Sequence, residues 1–179
     1  MNILALSGSL RKESFNTALL REFVKQTPQG MSIEIADIGA LPLYNQDREA
    51  NFPAEAAALK SKIKAADGIL IATPEYNRSV PGVLKNAIDW TSRPYGDSAW
   101  DGKPVYIVGA TGGQIGTAVG QYALKQSMLY LNARVLGQPE FFLSFATDKF
   151  DEKGNLTDAS TTEHVEKALA AFIAFIGER

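Results

Sequence analysis

The chain has 179 residues, 45% hydrophobic and 21% charged, the composition of one globular domain, expected to span residues 1–179. Eighteen basic against twenty acidic residues leave a net charge of −2, so there is no electrostatic footprint for nucleic acid. The lack of cysteine and the single histidine, His164, exclude disulfides, thiolate or multi-histidine metal sites and a cysteine nucleophile. No basic n-region precedes the short apolar run that ends at Leu6, and no apolar run reaches membrane-spanning length. A cytoplasmic protein with no membrane partner is expected.

Asn2 to Leu6 is continuously apolar, which predicts a strand buried on both faces of a parallel sheet. The loop Gly8-Ser9-Leu10-Arg11-Lys12-Glu13-Ser14-Phe15-Asn16 follows and runs into a helix to about Lys25, stopped by Pro28 and Gly30. Met31 to Ala36 alternates apolar with small or polar residues, as a half-exposed strand near a sheet edge does. Ile38 to Phe52 is a long irregular segment whose proline and aromatics predict a packed loop. Pro53 to Ala66 aligns Ala56, Leu59, Ile63 and Ala66 on one helical face.

Gly68 to Thr73 is a second fully apolar strand, broken at Pro74-Glu75-Tyr76-Asn77-Arg78-Ser79-Val80-Pro81-Gly82 and followed by a helix to Thr91. The loop from Ser92 to Lys103 carries Tyr95 and Trp100. A fourth strand, Val105 to Ala110, leads through Thr111-Gly112-Gly113-Gln114 into a long helix, Ile115 to Leu131. A fifth strand is split around Gln138-Pro139-Glu140. Ser160-Thr161-Thr162-Glu163 has capping-box spacing and opens a last helix, with His164 on its polar side.

Strands alternating with helices predict an α/β doubly wound sheet with helices on both faces. Five parallel strands in the order 2-1-3-4-5 give the flavodoxin-like form. Ligands of such sheets bind beyond the carboxyl ends of the strands, at the switch point beside strands one and three.

Three unusual loops fall at those ends. In Gly8–Asn16, the unpaired N–H groups of a helix start, its dipole, Ser9, Ser14 and Asn16 suit a phosphate. Arg11 would add a charge-assisted hydrogen bond of roughly 1.5–3 kcal/mol. The same residues also serve as an ordinary helix cap, so both readings stand at this point. Neither a P-loop nor the G-x-G-x-x-G spacing is present. Thr111–Gly116 is a near miss for that fingerprint, with Thr111 in the place of its first glycine. It reads better as a glycine-rich turn that lets a flat ring approach the backbone. The Pro74–Gly82 loop offers an aromatic face (Tyr76), an amide (Asn77) and free backbone groups for ring heteroatoms. A phosphate at one end and a polar aromatic ring at the other describe FMN better than a dinucleotide.

The motifs Gly8-Ser9-Leu10-Arg11-x-x-Ser14-Phe15-Asn16 and Pro74-Glu75-Tyr76-Asn77-x-Ser79-Val80-Pro81-Gly82-x-Leu84-Lys85-Asn86-Ala87-Ile88-Asp89-Trp90 resemble the NADPH-dependent FMN reductase family. The nearest branch is that of chromate and quinone reductases and azoreductases. The resemblance implies tightly bound FMN, NADPH or NADH as co-substrate, and small electron acceptors: quinones, azo compounds, flavins and metal oxyanions such as chromate. Carried over by position, Ser9, Arg11, Ser14, Phe15 and Asn16 would hold the phosphate. Pro74, Glu75, Tyr76, Asn77 and Arg78 would line the ring, and Thr111, Gly112 and Gly113 would close its other side.

Leu41-Pro42-Leu43-Tyr44-x-x-Asp47 is similar to the family's loop near the subunit contact. The chain departs from the pattern at Val119 and Ala123, where members often carry basic residues. The implied chemistry is ping-pong hydride transfer at flavin N5, with no side-chain acid, base or metal.

Ile115, Ala118, Val119, Tyr122 and Leu129 share one face of the fourth helix, with Leu124, Met128 and Leu131 opposite. Two apolar faces predict either deep burial or a subunit contact. The resemblance implies a homodimer or homotetramer with the active site at the contact, with Trp100 and Tyr95 placed to cover a neighbour's flavin. A flavodoxin-type electron carrier is the alternative; such carriers are strongly acidic, unlike this chain. A flavin-free interaction or sensor module would leave the Arg11 and Tyr76 loops without a role.

Overall fold

The computed structural model describes residues 1–178. Four parallel strands, β1 (Asn2–Ser7), β2 (Ser32–Ala36), β3 (Gly68–Ala72) and β4 (Pro104–Ala110), stand in the order β2-β1-β3-β4. The fifth position is shared by β5 (Arg134–Val135), beside the start of β4, and β6 (Phe141–Leu143), beside its end. Gln138-Pro139-Glu140 lies in the gap, as expected of a split strand. This is the flavodoxin-like order. β2 is an edge: Ser32 and Glu34 face solvent, while Ile33 packs into one core and Ala36 into the other.

Among the described residues, five helices cover the two faces: α1 (Phe15–Lys25), α2 (Ala54–Ala65), α3 (Gly82–Thr91), α4 (Ala118–Tyr130) and α5 (Ala159–Gly177). α1 and α5 pack Leu19, Phe23, Val165 and Phe172 against Ala5, Leu70 and Val108. On the other face, α2, α3 and α4 pack Leu59, Ile63, Leu84, Ile88, Leu124 and Met128 against Leu4, Ile69 and Ile107. Each such aliphatic or aromatic side chain contributes about 1.5–3 kcal/mol by leaving water. β3 and β4, and β1 from Ile3 to Leu6, are apolar because both of their faces are covered.

The segment before α2 is packed, as its aromatics predict. Trp90 donates its indole N–H to the Pro42 carbonyl at 2.8 Å, and its ring meets the Tyr44 and Phe52 rings edge-on at 5.0 and 5.2 Å. The Tyr44 hydroxyl donates to Glu49, which also pairs with Arg93 at 2.6 Å.

Four local expectations are corrected. α4 begins at Ala118 rather than Ile115, because Gly116 and Thr117 both have left-handed backbone, at φ +61° and +65°. α5 is capped by Asp158 rather than Ser160. The Asp158 carboxylate accepts the Thr161 N–H at 3.0 Å and the Ser160 hydroxyl at 2.8 Å, so the helix starts at Ala159 and Ser160 falls inside its first turn. Trp100 covers nothing outside the chain: it is fully buried, with its indole N–H on the Thr91 hydroxyl at 3.0 Å, whereas Tyr95 stands in solvent. His164 is half-buried instead of surface-bound. Its ring lies 4.3 Å from that of Phe141, and burial pushes its pKa down.

Candidate cofactor site

The main-chain bonds that prolong the strands bring the three unusual loops to one end of the sheet. Gly8 N–H donates to Ala72 and Thr73 N–H to Val108, at 2.8 and 2.9 Å, before the chains diverge into loops. A cleft of about 220 Å³ opens between them. Its walls are Ser9, Arg11, Ser14, Phe15 and Asn16 from the first loop, Pro74, Glu75 and Tyr76 from the second, and Ala110, Thr111 and Gly112 from the third. Ten of the residues expected to form the site therefore face one space. Asn77, Arg78 and Gly113 lie next to these in the chain but outside the lining.

The first loop is a cradle of donors. Ser14 caps α1, its side-chain oxygen accepting the Thr17 N–H at 3.3 Å, while the loop is tied to the helix by a 2.8 Å bond between the Ser7 and Thr17 hydroxyls. The N–H groups of Ser14, Phe15 and Asn16 have no acceptor among the described residues, as the start of a helix dictates. Arg11 is exposed, makes no ion pair among the described residues, and places its guanidinium 5.4 Å from the centre of the Phe15 ring. Free N–H groups, two buried serines and a free guanidinium fit a phosphate dianion.

Asn16 serves the site indirectly. Its side-chain amide donates to the Ala110 carbonyl at 2.9 Å and its oxygen accepts the Ala110 N–H at 3.0 Å. With the amide spent on β4, Asn16 offers a ligand its main-chain N–H. Ala110 itself gives no sign in sequence of this partnership across 94 positions.

The second loop is a tight reversal. Tyr76 and Ser79 exchange N–H to carbonyl bonds at 3.2 and 3.0 Å around Asn77 and Arg78, whose φ values are +51° and +61°. This is the type I′ geometry, which asparagine tolerates and arginine does not favour. Left-handed backbone costs about 1–2 kcal/mol per non-glycine residue. Glu75 anchors the turn. Its side chain is only 7% exposed, with one oxygen accepting Arg78 at 2.8 Å and the other accepting the N–H of Gly120 at 3.0 Å. α4 has no side-chain cap from its own Thr117, so Glu75 supplies it from the neighbouring loop. A side chain at position 120 would press on Glu75 and on the Ser79 carbonyl at 3.2–3.3 Å. Glu75 thus faces α4 and Arg78 faces Glu75, leaving the half-exposed Tyr76 ring at the cleft mouth.

The third loop is held by main chain: Thr111 N–H on Leu143, Ala146 N–H on Thr111 and Phe145 N–H on Gly113. A Cβ on Gly112 or Gly113 would meet nothing closer than 3.5 Å, so this wall is bare backbone, open to a flat ring. Gly116 has the opposite reason for its lack of a side chain, since a Cβ there would lie 2.7 Å from that of Phe142. A phosphate cradle, an aromatic at the mouth and a bare peptide wall together fit FMN.

Comparison with known proteins agrees. Residues 1–148 match the family model for NADPH-dependent FMN reductases. A 2-hydroxy-1,4-benzoquinone reductase of Burkholderia sp. is 42% identical over 179 residues, covering 100% of this chain and 98% of that protein. An NAD(P)H-dependent FMN reductase of Pseudomonas aeruginosa is 46% identical over 96% of this chain and 92% of its own. Among solved structures, the flavoenzyme NAD(P)H:(acceptor) oxidoreductase FerB from Paracoccus denitrificans superposes with a TM-score of 0.91 at 36% identity, covering 98% of this chain and 97% of that one. The chain belongs to the NADPH-dependent FMN reductase family. It is an FMN- and NAD(P)H-dependent oxidoreductase.

Proposed function

We propose that this enzyme reduces quinones with NAD(P)H, and that azo compounds, free flavins and chromate-type oxyanions are further acceptors of the same open site. The observation that carries the reading is the cleft at the carboxyl ends of β1, β3 and β4, with donors at one end and the Tyr76 ring and bare Gly112 backbone at the other. Relatives named for quinone reduction, 42–44% identical, support the acceptor class.

Bound FMN supplies the hydride chemistry. The chain supplies position: Arg11, the Ser9 and Ser14 hydroxyls and the N–H groups of Ser14, Phe15 and Asn16 hold the phosphate. Pro74, Glu75, Tyr76, Asn77 and Arg78 form the loop along one side of the ring, and Thr111, Gly112 and Gly113 the turn along the other. No side chain in the cleft is needed to move a proton, since the cleft is open and solvent supplies the proton that the reduced acceptor takes up.

The exposed face of α4 supports assembly into a homodimer or homotetramer. Val119, Tyr122 and Leu129 are 40%, 51% and 71% exposed, while Leu124 and Met128 on the opposite side are buried. The expected partition of the two apolar faces is therefore one in the core and one outward.

Anaerobic titration of the FMN-loaded enzyme with NADH and with NADPH, followed by a panel of acceptors, tests the function. Bleaching of the flavin by one of them, and its recovery on addition of a benzoquinone, is expected. A flavin that neither nucleotide bleaches, or that a quinone fails to reoxidise, sinks the reading.

A further inference from the structure

A second cavity, of about 310 Å³, adjoins the phosphate cradle on the side away from Tyr76 and shares Arg11, Ser14 and Phe15 with it. Its volume is at the lower end of small-molecule sites, roughly 300–1,000 Å³. Nothing in FMN extends past the phosphate, so FMN binding alone gives this space no role.

Its walls have two chemical characters. Phe15 and Phe150 form an aromatic pair, 5.8 Å between centroids and inclined by 31°. Around them stand four cations, Arg11, Lys12, Arg21 and Lys153, none of them in an ion pair among the described residues of a chain whose net charge is −2. Three carboxylates also border the space. That of Asp151 is committed to its own loop, accepting the N–H groups of Lys153 and Asn155 at 2.9 and 2.8 Å and the Asn155 side chain at 3.0 Å. Among the described residues, Glu13 and Glu152 are the two carboxylates of this lining without a partner, against four cations. An aromatic wall ringed by guanidinium and ammonium groups suits a base joined to phosphate, through stacking and charge-assisted hydrogen bonds.

We propose that this cavity is an adenylate subsite, which takes the phosphorylated adenosine of a dinucleotide whose redox half is served by the flavin cleft. The proposal rests on the reading of that cleft as the FMN site. Two dinucleotides carry such a group here: FAD, whose second phosphate continues from the position of the FMN phosphate, and NADPH, with its adenosine 2′-phosphate. Arg21 and Lys153 line this cavity and not the flavin cleft, so they separate the two sites.

The test uses wild type and the double variant Arg21→Gln/Lys153→Gln. Apoprotein is titrated with FMN and with FAD by flavin fluorescence, and FMN-loaded enzyme is assayed for the KM of NADPH and of NADH. FMN affinity is expected to be equal in both proteins. A tenfold or greater loss of FAD affinity in the variant assigns the subsite to the flavin's own adenylate. A tenfold or greater rise in the NADPH KM, with NADH unmoved, assigns it to the reductant's. If both responses match wild type while FMN binds normally, the subsite is overturned and the FMN site stands. Wild-type apoprotein that takes up no FMN overturns the functional reading and the subsite with it.

Discussion

The Glu75 carboxylate accepts the N–H of Gly120 at 3.0 Å, so the loop that borders the candidate cofactor cleft also caps the start of α4. The same carboxylate holds Arg78 in its left-handed conformation. Glu75→Ala is expected to lower stability by about 1 kcal/mol, the usual effect of losing a cap. It should also weaken FMN retention severalfold, because the turn is no longer anchored. Glu75→Gln, which keeps an acceptor for Gly120, should recover most of the stability. Urea unfolding and flavin fluorescence titration measure the two effects; an alanine variant with unchanged FMN affinity would show that the anchor is irrelevant to the cofactor.

Among the described residues, Arg11 carries the one free guanidinium lining the candidate phosphate cradle. Arg11→Ala should weaken FMN binding about ten- to a hundredfold, from the roughly 1.5–3 kcal/mol of a charge-assisted hydrogen bond, with an unaltered circular dichroism spectrum. Equal FMN affinity in the variant removes Arg11 from the phosphate site.

Asn16→Ala strands both the N–H and the carbonyl of Ala110 in the interior. At about 1–3 kcal/mol for each buried group left unpaired, a loss of about 2–4 kcal/mol in unfolding free energy is expected. A loss under 1 kcal/mol in a denaturant titration would mean that water replaces the amide.

His164 gives a pH dependence of definite sign. Burial against Phe141 holds its pKa below the usual histidine value, so below about pH 6.5 the unfolded chain takes up the proton more readily than the folded one. Its contribution therefore makes the protein less stable as pH falls through 6.5 and then levels off below the folded-state pKa. His164→Gln should flatten the change in melting temperature between pH 7.5 and pH 5. An identical slope in the variant assigns the dependence to other groups.

Leu129→Glu places a charge in the outward apolar face of α4. Sedimentation velocity should show a shift from oligomer to monomer with secondary structure intact. An oligomer of unchanged size moves the contact elsewhere on the surface.

The strands, their order and two of the cleft's three walls were legible because each rests on local chemistry: apolar runs for doubly covered strands, serines at a helix start, glycines at a bare turn. What escaped reading depends on partners far along the chain. Glu75 looks like a ring contact until α4 arrives beside it, although a glycine inside the predicted helix, at position 120, was a sign of close packing. Trp100, in a polar loop rich in glycine and proline, reads as exposed. Only the packed structure brings the Thr91 hydroxyl to its indole and closes the core over it. The α4 boundary was missed because left-handed backbone at Thr117 has no propensity signal.

The brace between Asn16 and Ala110 also dictates an order of events during synthesis. The first loop leaves the ribosome long before β4, yet two of the hydrogen bonds that hold the first turn of α1 in place belong to the last residue of β4. A chain released before residue 110 has the complete first motif and no partner for Asn16. This brace is thus available only to a chain whose central sheet has reached β4, and the donor cradle is completed late in assembly.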